Sequence, residues 1–129
     1  MQTIKSDRIV YCDVDDTLVK WDDNMSFTKL DKQSIAILDP FEDARRDPFE
    51  EPNKVYYLRP IWATIQYLKE YKAKGYTVVV WSAGSYLWAE AVVKALKLEE
   101  YVDFCMSKPD VCLDDLPPLE WIREIIYTR

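Results

Sequence analysis

The chain reads as an α/β protein built on a parallel sheet, and three observations carry that expectation. Two short apolar runs, Arg8 to Cys12 and Thr77 to Trp81, lack polar alternation, the pattern of strands covered on both faces. Apolar residues recur at helical spacing in the segments that follow the second half of the chain's strands. Three acids, Asp13, Asp15 and Asp16, stand directly after the first run, at the strand end where parallel sheets gather ligand-binding groups.

Taken in order, Arg8 to Cys12 is the first strand and is expected to lie centrally. From Leu18 to about Leu58 the pattern weakens. It holds Asp22-Asp23-Asn24, an apolar patch Ile35 to Leu38, a charged, proline-bearing stretch Phe41 to Pro52, and a second patch Val55 to Leu58. The two patches are expected to pair as a hairpin around a long solvated loop. Arg59-Pro60 opens a helix of about four turns with Ile61, Ile65 and Leu68 on one face, and Lys72, Lys74 and Gly75 close it. Thr77 to Trp81 is the second strand. Ser82-Ala83-Gly84-Ser85 then turns into a helix on which Trp88, Val92, Ala95 and Leu96 share a face. Tyr101 to Met106 predicts a third strand, Val111 to Leu113 a short fourth, and Pro117-Pro118 a last helix carrying Leu119, Ile122 and Ile126. Strands separated by helices imply parallel pairing and right-handed crossovers.

A chain of 129 residues is expected to form one domain, too short for a catalytic domain and a large separate cap. With 17 Lys and Arg against 23 Asp and Glu, the formal charge is −6. No general basic surface exists to hold a nucleic-acid backbone, which disfavours such partners while leaving a local patch open. The three cysteines match no zinc or redox spacing, and the first residues carry no basic and apolar signal segment, so a reducing cytoplasm is expected. No apolar run approaches the roughly 20 residues of a membrane-spanning helix. Histidine is absent, which removes Ser-His-Asp and Cys-His hydrolysis and histidine-ligated metals. Acids, bases and nucleophiles must come from Asp, Glu, Lys, Ser, Thr, Tyr or Cys.

Acids crowded at the end of a buried strand repel one another and lose solvation unless a cation or proton compensates. Across the expected strand ends the set is Asp13 and Asp15, then Ser82, then Lys108, then Asp114 and Asp115. Carboxylates of this kind hold Mg²⁺, while a hydroxyl, a lysine and a helix N-terminus hold a phosphate. Each residue alone has a plainer reading. Asp16 suits a turn or a helix cap, and Thr17 a loop-orienting hydrogen bond. Ser82 would be a turn residue, Lys108 a surface lysine, and Asp114-Asp115 a cap. Cys12 and Cys112 read as small buried hydrophobes on neighbouring strands, and Trp81, Trp88 and Trp121 as core. Trp21, with Tyr56 and Tyr57, is a candidate lining for a substrate entrance.

The run Asp13-Val14-Asp15-Asp16-Thr17 after an apolar strand resembles the Asp-x-Asp-x-Thr motif of the haloacid-dehalogenase superfamily. Ser82, Lys108 and Asp114-Asp115 follow in that family's motif order. The resemblance implies a three-layer, Rossmann-like parallel sheet with helices on both faces, and a single domain over residues 1–129 with a flap or small insertion at about 22–57 in place of a cap. It implies an Mg²⁺-dependent phosphomonoester phosphatase acting through an aspartyl-phosphate. Asp13 would be the nucleophile and Asp15 the general acid and base, an identity that separates phosphatases from dehalogenase and ATPase relatives. Ser82, with backbone N–H groups at Ala83 and Gly84, and Lys108 would hold the phosphate. Asp13, the Asp15 carbonyl, Asp114 and Asp115 would hold Mg²⁺. Compact capless chains of this kind also occur in tailed phages.

Three departures from the commonest pattern bear on substrate. The segment after the first motif has room for a flap but no large cap, only six positions separate Lys108 from Asp114, and the chain ends soon afterwards. Tyr57-Leu58-Arg59-Pro60 and Trp81-Ser82-Ala83 resemble capless protein-serine phosphatases of the same superfamily. A nucleotide or other small phosphate ester is ranked first as substrate, and a phosphoprotein or polynucleotide end second. A homo-oligomer is one way to close a capless site. From a different class, a phosphoacceptor receiver or a noncatalytic Mg²⁺-binding module would also gather acids at strand ends.

Overall fold

A computed structural model describes residues 7–21, 34–40 and 55–128. The stretches Asp22-Asp23-Asn24 and Phe41 to Pro52 lie outside them. Among the described residues the protein is α/β, with one parallel and one antiparallel sheet and two helices.

The parallel sheet comprises β1 (Ile9–Asp13), β5 (Thr77–Ser82) and β6 (Phe104–Ser107), in the order β1-β5-β6. Its register pairs Cys12 with Val80, Asp13 with Trp81, and Ser82 with Ser107. The apolar run of β5 is buried from Thr77 to Val80, so the central strand is β5. The expectation that the first strand is central and doubly covered is corrected: β1 is an edge strand of the described sheet, with Ile9 40% and Tyr11 46% exposed. The tyrosine packs instead on its diagonal cross-strand neighbour Trp81, with ring centroids 4.4 Å apart.

The second sheet is antiparallel, ordered β2 (Val19–Trp21), β4 (Val55–Pro60) and β3 (Ile35–Leu38). Pairing of β3 with β4, Ile35 opposite Leu58 and Leu38 opposite Val55, is the hairpin that the two apolar patches predict. β2 is not legible in the sequence. It forms because the chain turns sharply after β1 and lays Val19 to Trp21 against Pro60 to Leu58.

Helix α1 (Trp62–Ala73) starts two residues after Pro60, which belongs to β4 and not to the helix. It buries Thr64, Ile65 and Leu68. Its end is as expected: Lys72 lies in the last turn, and Gly75 at φ +87° takes the left-handed position that favours a residue without Cβ. Helix α2 (Tyr86–Ala95) buries Trp88, Ala89, Val92 and Val93. Both helices join β5 through one cluster containing Cys12, Val78, Val80, Ile65, Leu68, Trp88 and Val92, which also takes in Leu18, Val19, Ile37 and Leu58 from the antiparallel sheet. Both crossovers step the same way across the sheet, from β1 to β5 and from β5 to β6, and right-handed crossovers of that kind place both helices on one face. Helices on both faces, and hence three layers, are not formed among the described residues.

The chain after β6 departs most from expectation. Val111 to Leu113 is not a strand, and Val111 is 76% and Leu113 96% exposed. The last helix is reduced to a single 3₁₀ turn, Pro118–Glu120, while Leu119, Ile122 and Ile126 stay exposed. A short helix draws its stability from burying one face, and here no face is buried. Cys112 is accordingly exposed, not buried on a neighbouring strand, and Trp121 is exposed, not core. Trp88 is core, and Trp81 is half-buried.

Candidate functional site

The loop after β1 is a tight turn wound on one carbonyl. The N–H groups of Thr17, Leu18 and Val19 all donate to the Val14 oxygen, at 3.2, 2.8 and 3.2 Å, and Asp16 N–H donates to Val19 O at 2.8 Å. Asp16 takes φ +62°, the left-handed conformation that Asp tolerates better than most residues, so its role is to shape the turn. Val14 is fully buried beneath it. The turn fixes the backbone from which Asp13, Asp15 and Thr17 project.

Around Asp13 the carboxylate has two partners. Thr17 Oγ1 donates to Oδ2 at 3.3 Å, and Lys108 Nζ lies 3.2 Å from Oδ1. Lys108 follows β6, two strands away from β1, so its side chain reaches across the end of the central β5. Its backbone N–H is itself tied to that strand, donating to Ser82 O at 2.9 Å. Six positions between Lys108 and Asp114 therefore do not keep the lysine from the first motif.

Asp15 is held differently. Its Oδ1 accepts from two indoles, Trp21 Nε1 at 2.9 Å and Trp88 Nε1 at 3.1 Å. Trp21 comes from β2 and Trp88 from α2, and their rings stack with centroids 5.8 Å apart. Tyr56 of β4 meets both edge-on, at 5.2 and 5.7 Å. The sequence suggests core for Trp88 and an entrance lining for Trp21 and Tyr56. Neither expectation identifies these indoles as donors to Asp15. The available signal is that a buried indole N–H needs an acceptor, and Asp15 is a nearby acceptor in sequence to Trp21 alone.

Ser82 is fully buried, and its Oγ accepts from Gly84 N–H at 3.0 Å. That N–H is thus engaged locally, while the Ser82 hydroxyl hydrogen is left to give. Ala83 and Gly84 are exposed at the α2 start, where Ser85 caps the helix by accepting from Leu87 N–H at 3.1 Å. A Cβ on Gly84 would come within 3.3 Å of Ser82 Oγ, so the turn is tight. Ser107, opposite Ser82 in the ladder, accepts from Tyr86 N–H at 2.8 Å and ties β6 to the same helix start. No sequence signal distinguishes Ser107.

Asp114 and Asp115 are exposed and belong to an irregular segment. Leu116 N–H donates to Asp114 Oδ1 at 3.0 Å. That bond, with a hydrogen bond from Asp115, holds the Asp114 carboxyl below the usual carboxylate range. This is an Asx turn and not the helix cap expected of the pair in isolation, since the following 3₁₀ turn has Pro117 at its N-cap with no side-chain cap bond. Among the described residues, no three Cys, Asp or Glu side chains are grouped closely enough to hold a metal ion. The expected set of Asp13, Asp15, Asp114 and Asp115 is therefore not assembled here, because no fourth strand seats the last two beside β1. Asp13 and Asp15 as placed are engaged by Lys108 and Thr17 and by the two indoles.

The cysteines stand apart from this chemistry. Burial, and then the Asp13 charge, push the Cys12 thiol up to about 12. Burial, and then Glu90, push Cys105 up to about 11. Neither is a thiolate near neutral pH.

No family model, curated protein or solved structure matches this chain. No helix among the described residues is long and apolar enough to cross a membrane.

Proposed function

We propose that the protein is an Mg²⁺-dependent phosphomonoester phosphatase acting through an aspartyl-phosphate on Asp13. The observation that carries this is the ammonium of Lys108, brought across the sheet to 3.2 Å from Asp13 Oδ1. A cation set beside a nucleophilic carboxylate offsets the charge that accumulates when a phosphate approaches it. Asp13 attacks phosphorus, the P–O ester bond breaks, and Asp15 gives its proton to the departing alkoxide, so that an alcohol leaves. Water then attacks the phosphoryl group, yields its proton to Asp15, and releases inorganic phosphate as the Asp13–phosphorus bond breaks. Lys108, whose side chain is exposed, would bind a phosphoryl oxygen, and the buried Ser82 hydroxyl would reach one on a shift of the Ala83–Gly84 turn. The described acids do not complete a cation shell; Mg²⁺, when bound beside Asp13, would supply further charge neutralisation to the phosphoryl group.

A small phosphate ester such as a nucleotide is the preferred substrate class, with phosphoproteins and polynucleotide ends next. A second reading, a phosphoacceptor or Mg²⁺-binding module without turnover, draws on the separation of Asp114 and Asp115 from Asp13. Phosphate release from para-nitrophenyl phosphate, measured with Mg²⁺, with EDTA and for Asp13→Asn, separates the two. Repeated turnover lost under EDTA and in Asp13→Asn supports the phosphatase. Release of no more than one phosphate per chain supports the module.

A further inference from the structure

We propose that Trp21 and Trp88 are positioning residues whose indole N–H groups hold Asp15 by Oδ1 alone, so that proton exchange with the substrate passes through Oδ2. The inference rests on the phosphatase reading for its catalytic consequence and on geometry for the contact itself.

A carboxyl oxygen has two lone pairs in the carboxyl plane. Both are engaged at Asp15 Oδ1, by donors at 2.9 and 3.1 Å. A proton on Asp15 must then ride on Oδ2, the oxygen that no indole occupies. With both indoles on one oxygen, the carboxyl plane has little freedom to rotate about χ2, a torsion that is otherwise broad. The two donors are themselves fixed. Trp88 is 5% exposed, in the core of α2. Trp21 is stacked on it, and Tyr56 closes the edge of both rings, with its hydroxyl donating to Asp39 Oδ2 at 3.2 Å. Side chains from β2 and α2 thus converge on one oxygen of one acid, and a β4 ring packs against both.

The arrangement has a further consequence. Trp21 belongs to the antiparallel sheet and Trp88 to the helix that follows β5. Asp15 is therefore correctly oriented only while the antiparallel sheet sits against α2.

The test uses the full chain and two phosphate monoesters. 2,4-Dinitrophenyl phosphate has a leaving group that needs no protonation, whereas a simple alkyl phosphate departs only with a proton. Trp21→Phe and Trp88→Phe keep the rings and remove one N–H each. Each is expected to lower kcat/KM for the alkyl ester about tenfold or more while changing kcat/KM for the dinitrophenyl ester less than about threefold, since kcat/KM reports the phosphoryl transfer to Asp13, where general acid catalysis acts on the first ester alone, and not the later hydrolysis that both esters share. Equal losses of kcat/KM on both esters would overturn the proposal. A second measurement needs no activity. Of the five indole N–H proton resonances, one for each Trp, the two assigned by their disappearance in Trp21→Phe and Trp88→Phe should both move upfield in Asp15→Ala. Resonances that stay in place would overturn the contact. If they move but wild-type protein hydrolyses neither ester, the phosphatase reading fails, and the catalytic half of the proposal is overturned with it.

Discussion

Asp103 offers a stability prediction with two separable parts. It precedes β6 and completes the sheet by side chain where the strand has not yet begun. Its Oδ2 accepts from Val78 N–H at 2.8 Å, its own N–H donates to Val78 O at 2.9 Å, and its Oδ1 pairs with Lys72 Nζ at 2.6 Å. Val78 is fully buried, so Asp103→Ala leaves a buried amide without an acceptor, a cost of about 1–3 kcal/mol. Loss of the partly exposed ion pair adds only about 0.2–1 kcal/mol. A total of about 1–4 kcal/mol is expected. Asp103→Asn keeps an oxygen for Val78 and loses only the pair, so it should cost less than about 1 kcal/mol. Urea unfolding followed by far-UV circular dichroism at pH 7 measures both. Equal losses for Ala and Asn, or an Ala loss below about 1 kcal/mol, would refute the assignment of the larger share to Val78. The acid limb supplies a sign check. Burial raises the Asp103 carboxyl, but the Lys72 hydrogen bond, the Val78 N–H and the Lys72 charge outweigh it and hold it below the usual carboxylate range. A depressed carboxylate contributes stability that is complete above the unfolded value of about 3.9 and is lost as pH falls through the lower folded value. The gap between wild type and Asp103→Asn should therefore be steady above about pH 5 and close as pH falls below about 4.

Three other outcomes follow from particular residues. Ser85 caps α2 from φ +114°, ψ +164°, a region nearly reserved for glycine, where a side chain costs about 1–3 kcal/mol. Ser85→Gly loses a few tenths of that through the cap and more through unfolded-chain entropy. The variant should still be more stable by about 1 kcal/mol in urea unfolding, and a destabilised protein would contradict the strain. Iodoacetamide at pH 8 should modify the exposed Cys112 of the folded protein and leave Cys12 and Cys105, raised to about 12 and about 11. Peptide mass spectrometry showing Cys12 alkylated as fast as Cys112 would contradict the burial of Cys12. Lys108→Ala should change stability by less than about 1 kcal/mol, because both partners of its ion pair are more than a third exposed. It should nevertheless lower phosphate release about 100-fold, the scale of one lost charge-stabilising donor.

How far the sequence determines these features differs from element to element. β5 and the buried stripe of α1 are local: an unbroken β-branched run and an i, i+3 apolar pair are enough, and Lys72 to Gly75 marks the helix end. The β3–β4 pairing is legible because both patches are apolar and consecutive. β2 is not, because three residues carry no period of their own and pair only once the Val14 turn has reversed the chain. The fourth strand and last helix are over-read. Val111 to Leu113 and Leu119 to Ile126 have the composition of buried elements, but burial is decided by neighbours, and these residues are exposed. At the site, Asp13, Thr17 and Lys108 come together as motif order suggests. The Trp88 bond to Asp15 joins residues 73 positions apart, and no local pattern encodes it. Asp114 and Asp115 depend on a strand that does not form, so their proximity to Asp13 fails with it.

The central claim is that Asp13 becomes phosphorylated, and trapping that species tests it most directly. The full chain is incubated with Mg²⁺ and para-nitrophenyl phosphate and quenched with borohydride, which reduces an acyl phosphate to an alcohol and so converts aspartate to homoserine. Peptide mass spectrometry should then find homoserine at position 13 in the wild-type protein and none in Asp13→Asn. Phosphate release with no homoserine at position 13, or with homoserine at Asp15 or Asp16 instead, would contradict the account.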